Sequence, residues 1–296
     1  MSDSASLRRI ATRGSALALW QAHHVAGLLA DVAPEITVEI EIISTEGDRR
    51  TDVPLAQIGG KGVFVKEVQA AVLDGRADIA VHSAKDLPAL TPTGLVIVAV
   101  PERADARDVL VGGRLADLPA GATVATGSPR RRAQLADLRP DLRFEELRGN
   151  IDTRLAKSSS FDAIVMAKAA LDRLDRHPEV VDPIDVDVMV PQVGQAALAI
   201  ECRADDHHLV ELLSRLDHRA TRLAVDAERA FLARLGGDCD LPAGAHATVA
   251  DDDTITLTGV LLDAGDTTMR RFASVGQVPD ELGALVAERL LSGTGT

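Results

Sequence analysis

The chain has no tyrosine, one tryptophan (Trp20) and five phenylalanines among its 296 residues. That shortage removes the aromatic platforms on which single-stranded nucleic-acid binders stack their bases. Positive charge is also scarce: 45 acidic residues against 32 lysines and arginines leave a formal charge of -13. Such a surface repels duplex phosphates, so nucleic acid is excluded as an expected partner. Cysteine is limited to Cys202 and Cys239. Two are too few for a structural tetrahedral zinc site without histidine help, and with His23, His24, His207 and His208 out of ligand spacing no metal is expected. No apolar run approaches the ~20 residues that cross a bilayer, and MSDSASLRRI lacks the basic-then-apolar layout of a secretory signal. A soluble protein of the reducing cytoplasm, with no membrane partner, is the expectation.

What remains is a composition that folds. At 46% apolar residues the chain is rich and long enough for two or three cores. Strand and helix patterns alternate from the start: Leu7 to Thr12 reads as a strand, Ser15 to Leu29 as a helix capped by Ser15, and Ile36, Val38, Ile40 and Ile42 as a half-buried strand. Val63 to Leu73 has helical spacing, Asp78 to Val81 is a short apolar run ending at His82-Ser83, and Leu95 to Val100 is a further strand closed by Pro101. The rhythm restarts with Val109 to Val111, Thr123 to Ala125, a helix from Ser128-Pro129 to Leu138, and a buried strand from Phe161 to Met166. After a Pro-containing acidic stretch, Asp182 to Pro191, the apolar run Ala196 to Cys202 is placed to pair back with the first unit. A helix over His218 to Leu235 precedes a tail with strands at Thr254 to Leu262 and Thr267 to Val275, a turn at Asp263 to Asp266, and a helix at Glu281 to Leu291. That tail reads as a small α+β domain.

Against the acidic background, seven arginines crowd into Ala125 to Arg154. Guanidinium forks match carboxylate or phosphate oxygens two bonds at a time, which points to a pocket for a specific polyanion. Thr126-Gly127-Ser128-Pro129-Arg130-Arg131 sets hydroxyls, free backbone N–H groups and cations at one strand-to-helix turn. A solvated basic helix start is the ordinary alternative. Arg148-Gly149-Asn150 followed by Arg154 repeats the arrangement at a second helix start, which favours binding.

Three loops complete the candidates. His82-Ser83-Ala84-Lys85-Asp86-Leu87-Pro88 follows a buried strand, where α/β sheets hold ligands; Asp86 is either a turn residue or a carboxylate that balances a cationic intermediate beside Lys85. Gly59-Gly60-Lys61-Gly62 resembles a phosphate loop but Val63 and Phe64 stand where Ser or Thr belongs, so a glycine loop that closes over a site is the better reading. Cys239, in Gly236 to Pro242, is a candidate for covalent attachment, whereas Cys202 lies in an apolar strand as a small hydrophobe.

Read in order, IATRGSALALWQA, STEGDR, GGKGVFVKEV, ADIAVHSAKDLP, ATGSPRRRAQL, LRGNIDTRL, AIECR and AERAFLARLGGDCDLPAG resemble the hydroxymethylbilane synthase (porphobilinogen deaminase) family over nearly the whole chain. The resemblance implies an α/β protein with two periplasmic-binding-protein-like domains plus a small C-terminal α+β domain. Residues 1–101 with 196–217 would form the first, 102–195 the second and 218–296 the third. Members join four porphobilinogen molecules head to tail, release ammonia at each addition, and free a linear tetrapyrrole with water.

The same resemblance assigns roles. Cys239 would carry a dipyrromethane cofactor through a thioether, and Asp86 would be the catalytic carboxylate. Arg13, Arg130, Arg131, Arg148, Arg154 and Arg173 would hold the acetates and propionates of cofactor and substrate, with Ser15, Ser83, Thr126 and Ser128 as hydroxyl donors and Lys61, Phe64 and Lys85 as further contacts. Gln57, Ala170, Ala196 and Asp238 depart from common family residues, Ala170 and Ala196 standing where glycine is usual. The expected partner is the small molecule porphobilinogen and the expected state a monomer. A non-catalytic polycarboxylate binder of the periplasmic type is the competing reading; it would use the arginines but neither Cys239 nor Asp86.

Overall fold

The computed structural model describes residues 6–45, 62, 65–236, 242–262 and 269–293. The chain falls into two compact units, Met1–Arg103 with Ala197–Arg222 and Ala104–Ala196 with Leu223–Thr296.

In the first unit β1 (Ser6–Arg13), β2 (Ile36–Ile43) and β3 (Ile79–Ser83) run parallel in the order β2-β1-β3. β10 (Leu198–Arg203) enters antiparallel beside β3, and β4 (Leu95–Ala99) closes the sheet. The apolar run expected to return to this unit does so. It sits between two strands, which is why nearly all of it is buried and shows no polar alternation. Helix α1 (Ala16–Val32) starts where expected, because Ser15 Oγ accepts the Ala18 N–H at 3.3 Å. Its Ala22, Val25 and Leu29 pack with Ile10, Ile79 and Ile200. β2 departs from the alternation read for it at its end: Ile42 is 57% exposed and Ile43 packs with Ala11, Val68 and Val72. α2 (Lys66–Leu73) starts after its cap residue Val65, later than the helix expected from Val63, and ends at Leu73 as expected.

The second unit repeats the layout. β6 (Thr123–Ala125), β7 (Arg143–Glu145) and β8 (Ala163–Ala167) are parallel in the order β7-β6-β8, with β5 (Asp108–Val111) antiparallel beside β8 and β9 (Val181–Ile184) at the edge. β9 overlaps the start of the Pro-containing stretch Asp182 to Pro191, for which no strand was expected. A proline removes a ladder donor, and an edge strand can spare one, so Pro183 is tolerated there. Between these strands run α3 (Pro129–Leu138), α4 (Ile151–Ala156) and α5 (Lys168–Arg173). α6 (His207–Ser214) belongs to the first unit, and α7 (Arg219–Arg234) continues from it into the second.

The tail forms the antiparallel sheet β11 (Ala243–Val249), β12 (Ile255–Leu261) and β13 (Arg270–Gly276) with α8 (Pro279–Leu291) on one face. Phe231, Leu257, Val286 and Leu290 are its buried centre. The turn expected at Asp263 to Asp266 lies outside the described residues. The expected class, two α/β sheets with a small C-terminal α+β part, is what these residues form.

Candidate functional site

Parallel strands open a crevice at their carboxyl ends, and Arg13, Ser15, Ser83 and Asp86 of the first unit, and Thr126, Ser128 and Arg148 of the second, follow the ends of such strands. In the first unit Arg13 ends β1, Ser15 caps α1, Ser83 ends β3, and Ala84–Asp86 form a single 3-10 turn closed by Leu87 N–H to Ala84 O. Arg13, Ser15, Ser83 and Asp86 line one cavity of about 50 Å³. Lys85 is half-buried in the same turn. Among the described residues no hydrogen bond or ion pair reaches the Asp86 carboxylate, so its oxygens are available to a ligand.

Two groups that sequence reasoning missed support this edge. Gln21, buried on α1, donates from Nε2 to Ser83 Oγ at 2.8 Å and accepts from that hydroxyl at 3.2 Å. Below the cavity, buried His82 brings Nε2 to 3.0 Å from Glu201 Oε2, close but without the alignment of a hydrogen bond. Gln69 Nε2 donates to both Glu201 oxygens at 3.1 and 2.9 Å. A glutamate inside the apolar run LAIEC was the available signal, since a buried carboxylate requires partners.

In the second unit Ser128 caps α3 by accepting the Arg131 N–H at 3.4 Å, with Pro129 at the first helical position. Thr126 Oγ1 accepts the Ser128 N–H at 3.2 Å. A Cβ on Gly127 would stand 2.9 Å from Leu147 O, so the segments carrying Arg130 and Arg148 abut, and only glycine permits that approach. Asn150 caps α4 through Thr153 N–H at 2.8 Å.

The arginines divide into two kinds. Arg148 reaches Glu146 at 3.0 Å and Arg154 reaches Gly149 O at 2.8 Å, both within hold of solvent. Arg173 is half-buried, donates to Ala196 O at 2.7 Å, and is pulled down to about 10 by burial. Arg130 and Arg131 instead turn inward. Arg130 Nη2 meets Asp108 Oδ2 at 2.6 Å and Nη1 meets Val190 O at 2.6 Å. Arg131 takes Asp108 Oδ1 from Nε at 3.1 Å and Nη2 at 2.8 Å, with Nη1 on Val165 O at 3.2 Å. Burial by itself would raise the Asp108 carboxyl, but the two guanidiniums outweigh it and hold the group far below the usual carboxylate range. Arg130 Nε is buried with no acceptor among the described residues.

Cys239, Lys61, Phe64, Gln57 and Asp238 lie outside the described residues. Among those described, no group of three His, Cys, Asp or Glu side chains is arranged to hold a metal, and no helix is long and apolar enough to cross a membrane.

Comparison with known proteins gives two family matches. Residues 8–211 match the porphobilinogen deaminase dipyrromethane cofactor-binding domain, and residues 222–292 match the porphobilinogen deaminase C-terminal domain. A porphobilinogen deaminase of Brevibacillus brevis is 48% identical over 289 residues, covering 96% of this chain and 94% of that one. One from Syntrophotalea carbinolica is 45% identical, covering 98% and 94%. One from Nitratidesulfovibrio vulgaris strain Hildenborough is 50% identical over 272 residues, covering 88% and 85%.

Proposed function

Because the chain belongs to the porphobilinogen deaminase family, we propose that Asp86 is its catalytic carboxylate and that its carboxyl-edge arginines hold the acidic side chains of the growing pyrrole chain. The enzyme is a transferase of porphyrin biosynthesis, a hydroxymethylbilane synthase acting on porphobilinogen with a dipyrromethane cofactor. Four substrate units entering a linear product, a monomeric state, residence in the cytoplasm and no nucleic-acid partner complete the proposal.

The residues fit the cofactor. Two buried guanidiniums share the one carboxylate of Asp108, and Arg130 Nε has no acceptor among the described residues. Such a cluster calls for an anion, and the cofactor's carboxylates are of the right charge and fork geometry. When bound, the dipyrromethane supplies a tethered pyrrole whose free α-carbon begins the chain. Cys239 would hold it by a thioether. Pro242, three residues on, is described, and a Cβ on nearby Gly244 would meet Arg130 Cδ at 3.0 Å, which supports attachment close to these arginines.

Each addition breaks the C–N bond of the substrate's aminomethyl group, forms a C–C bond from the chain's terminal pyrrole α-carbon to that methylene, and releases ammonia and the α-proton of the terminal pyrrole. Asp86 is suited to accept a pyrrole N–H, offset the cationic methylene as ammonia leaves, and take up the α-proton. Arg13, Arg148, Arg154 and Arg173 orient acetate and propionate groups so that the reacting carbons meet. Ser15, Ser83, Thr126 and Ser128 add hydroxyls, with Lys61, Phe64 and Lys85 as further contacts.

The observation that carries this reading is the uncommitted Asp86 carboxylate sharing a cavity with Arg13, Ser15 and Ser83. Asp86→Asn should lower turnover by on the order of 10²–10⁴-fold while intact mass still shows two pyrrole units on the chain. The same adduct should vanish in Cys239→Ser. Near-normal product from Asp86→Asn sinks the catalytic assignment, and an adduct that survives Cys239→Ser sinks the attachment site.

A further inference from the structure

Arg130 and Arg131 are consecutive on the first turn of α3, so their side chains leave the helix about 100° apart. Both nevertheless end on Asp108, the first residue of β5, which gives Oδ2 to one and Oδ1 to the other. Asp108 is fully buried, and the arginines are 3% and 7% exposed. A third group fixes the carboxylate: Gln195 Nε2 donates to Asp108 Oδ1 at 2.9 Å and to Ala106 O at 2.7 Å. Gln195 thus adds a hydrogen bond to the cluster without adding charge.

Among the described residues the charges do not cancel: no carboxylate but that of Asp108 bonds either guanidinium, so within this set two buried cations face one anion. A pair built only to stabilise the fold gains nothing from that excess, because an unbalanced buried cation is costly. A pair built to receive an anion needs it. Among the described residues the carboxylate also leaves Arg130 Nε without an acceptor, on the guanidinium whose Nη atoms are both occupied.

We propose that Asp108 is the positioning residue of this anion site: by dividing its oxygens it aims both guanidiniums while leaving one positive charge for a carboxylate of the pyrrole chain. Gln195 holds Asp108 in place as a neutral donor. The inference rests on the reading of Arg130 and Arg131 as ligand-holding residues, and it assigns the orientation of that pair to a residue that touches no ligand itself.

The test uses cofactor-loaded enzyme, with loading checked by intact mass. Asp108→Glu keeps the charge but lengthens the arm, so KM for porphobilinogen should rise by on the order of tenfold to a hundredfold, as ~1 Å misplacements do. Its kcat should change far less, and the thermal midpoint should stay within a few degrees. Gln195→Met should shift KM the same way by a smaller factor. In an Arg131→Lys background the Asp108→Glu penalty should shrink, since the group through which Asp108 acts is gone. If KM holds in Asp108→Glu and Gln195→Met but rises in Arg131→Lys, the positioning role is wrong and the reading of the arginines stands. If Arg131→Lys also leaves KM unchanged, that reading falls. A drop in thermal midpoint with kcat and KM unmoved makes Asp108 a folding residue only. Should Asp108→Glu fail to fold, Gln195→Met decides alone, and an unchanged KM there overturns the proposal.

Discussion

Gln21 and Ser83 hold each other across 62 positions of sequence, amide Nε2 to hydroxyl Oγ at 2.8 Å. The bond ties the first turns of α1 to the end of β3, three residues before Asp86, so the hydroxyl at the cavity has one orientation rather than three rotamers.

Gln21→Met removes this bond at nearly constant volume. A buried hydrogen bond contributes about 1 kcal/mol net to stability, so the fold should lose about that much, and kcat/KM should fall by roughly fivefold as the Ser83 hydroxyl loses its fixed orientation. Steady-state kinetics beside a urea titration checks it. A loss of stability with kcat/KM intact would place Gln21 in the core only.

Asp108 sets an acid limit. Its carboxyl is depressed in the folded protein, so the stability it contributes is fully present above the unfolded value near 3.9 and is lost as pH falls toward the folded value. Asp108→Asn should cost about 3–5 kcal/mol at neutral pH, the usual penalty for stranding buried charge. The gap between the two proteins should narrow by about 1.4 kcal/mol per pH unit below ~3.9. Urea midpoints from pH 7 to 3 measure it, and a gap that stays constant over that range contradicts the pairing.

Ala196 occupies the left-handed region with φ 68, at a position between Gln195 and the start of β10. A side chain there costs about 1–2 kcal/mol, and glycine returns part of the gain as unfolded-state entropy. Ala196→Gly should therefore stabilise the protein by about 0.5–1 kcal/mol, read as a higher urea midpoint at an unchanged slope. A lower midpoint would mean that the Ala196 methyl group's packing with Ala106 and Ala169 outweighs the strain.

Gly244 stands where a Cβ would come within 2.6 Å of Pro191 O, 2.9 Å of Val190 O and 3.0 Å of Arg130 Cδ. Backbone cannot yield as a side-chain tip does. Gly244→Ala should cost about 1–3 kcal/mol and, by pushing Arg130, reduce cofactor loading seen by intact mass. Full loading at wild-type stability would show that β11 has room to move.

The start signals were readable because capping acts over three residues: Ser15, Ser128 and Asn150 each accept the N–H their positions predict. Strand β10 was readable from an apolar run broken only by Glu201. β9 was not, because Pro183 argues against a strand unless its edge position is known. Asp108 was equally silent. It opens the short strand DVLV, and nothing local says that its partners lie 22 and 23 residues further on.

The order of elements, the acidic surface and the crowding of arginines at two helix starts belong to the amino-acid sequence alone, since periodicity, composition and capping are properties of neighbours along the chain. That Arg130 and Arg131 grip a buried carboxylate while Arg148 pairs with an exposed one was decided only by the tertiary structure. Arg130, Arg131 and Arg148 look alike in sequence. They differ because β5 brings Asp108 beneath the first two, whereas the third stays near solvent with Glu146.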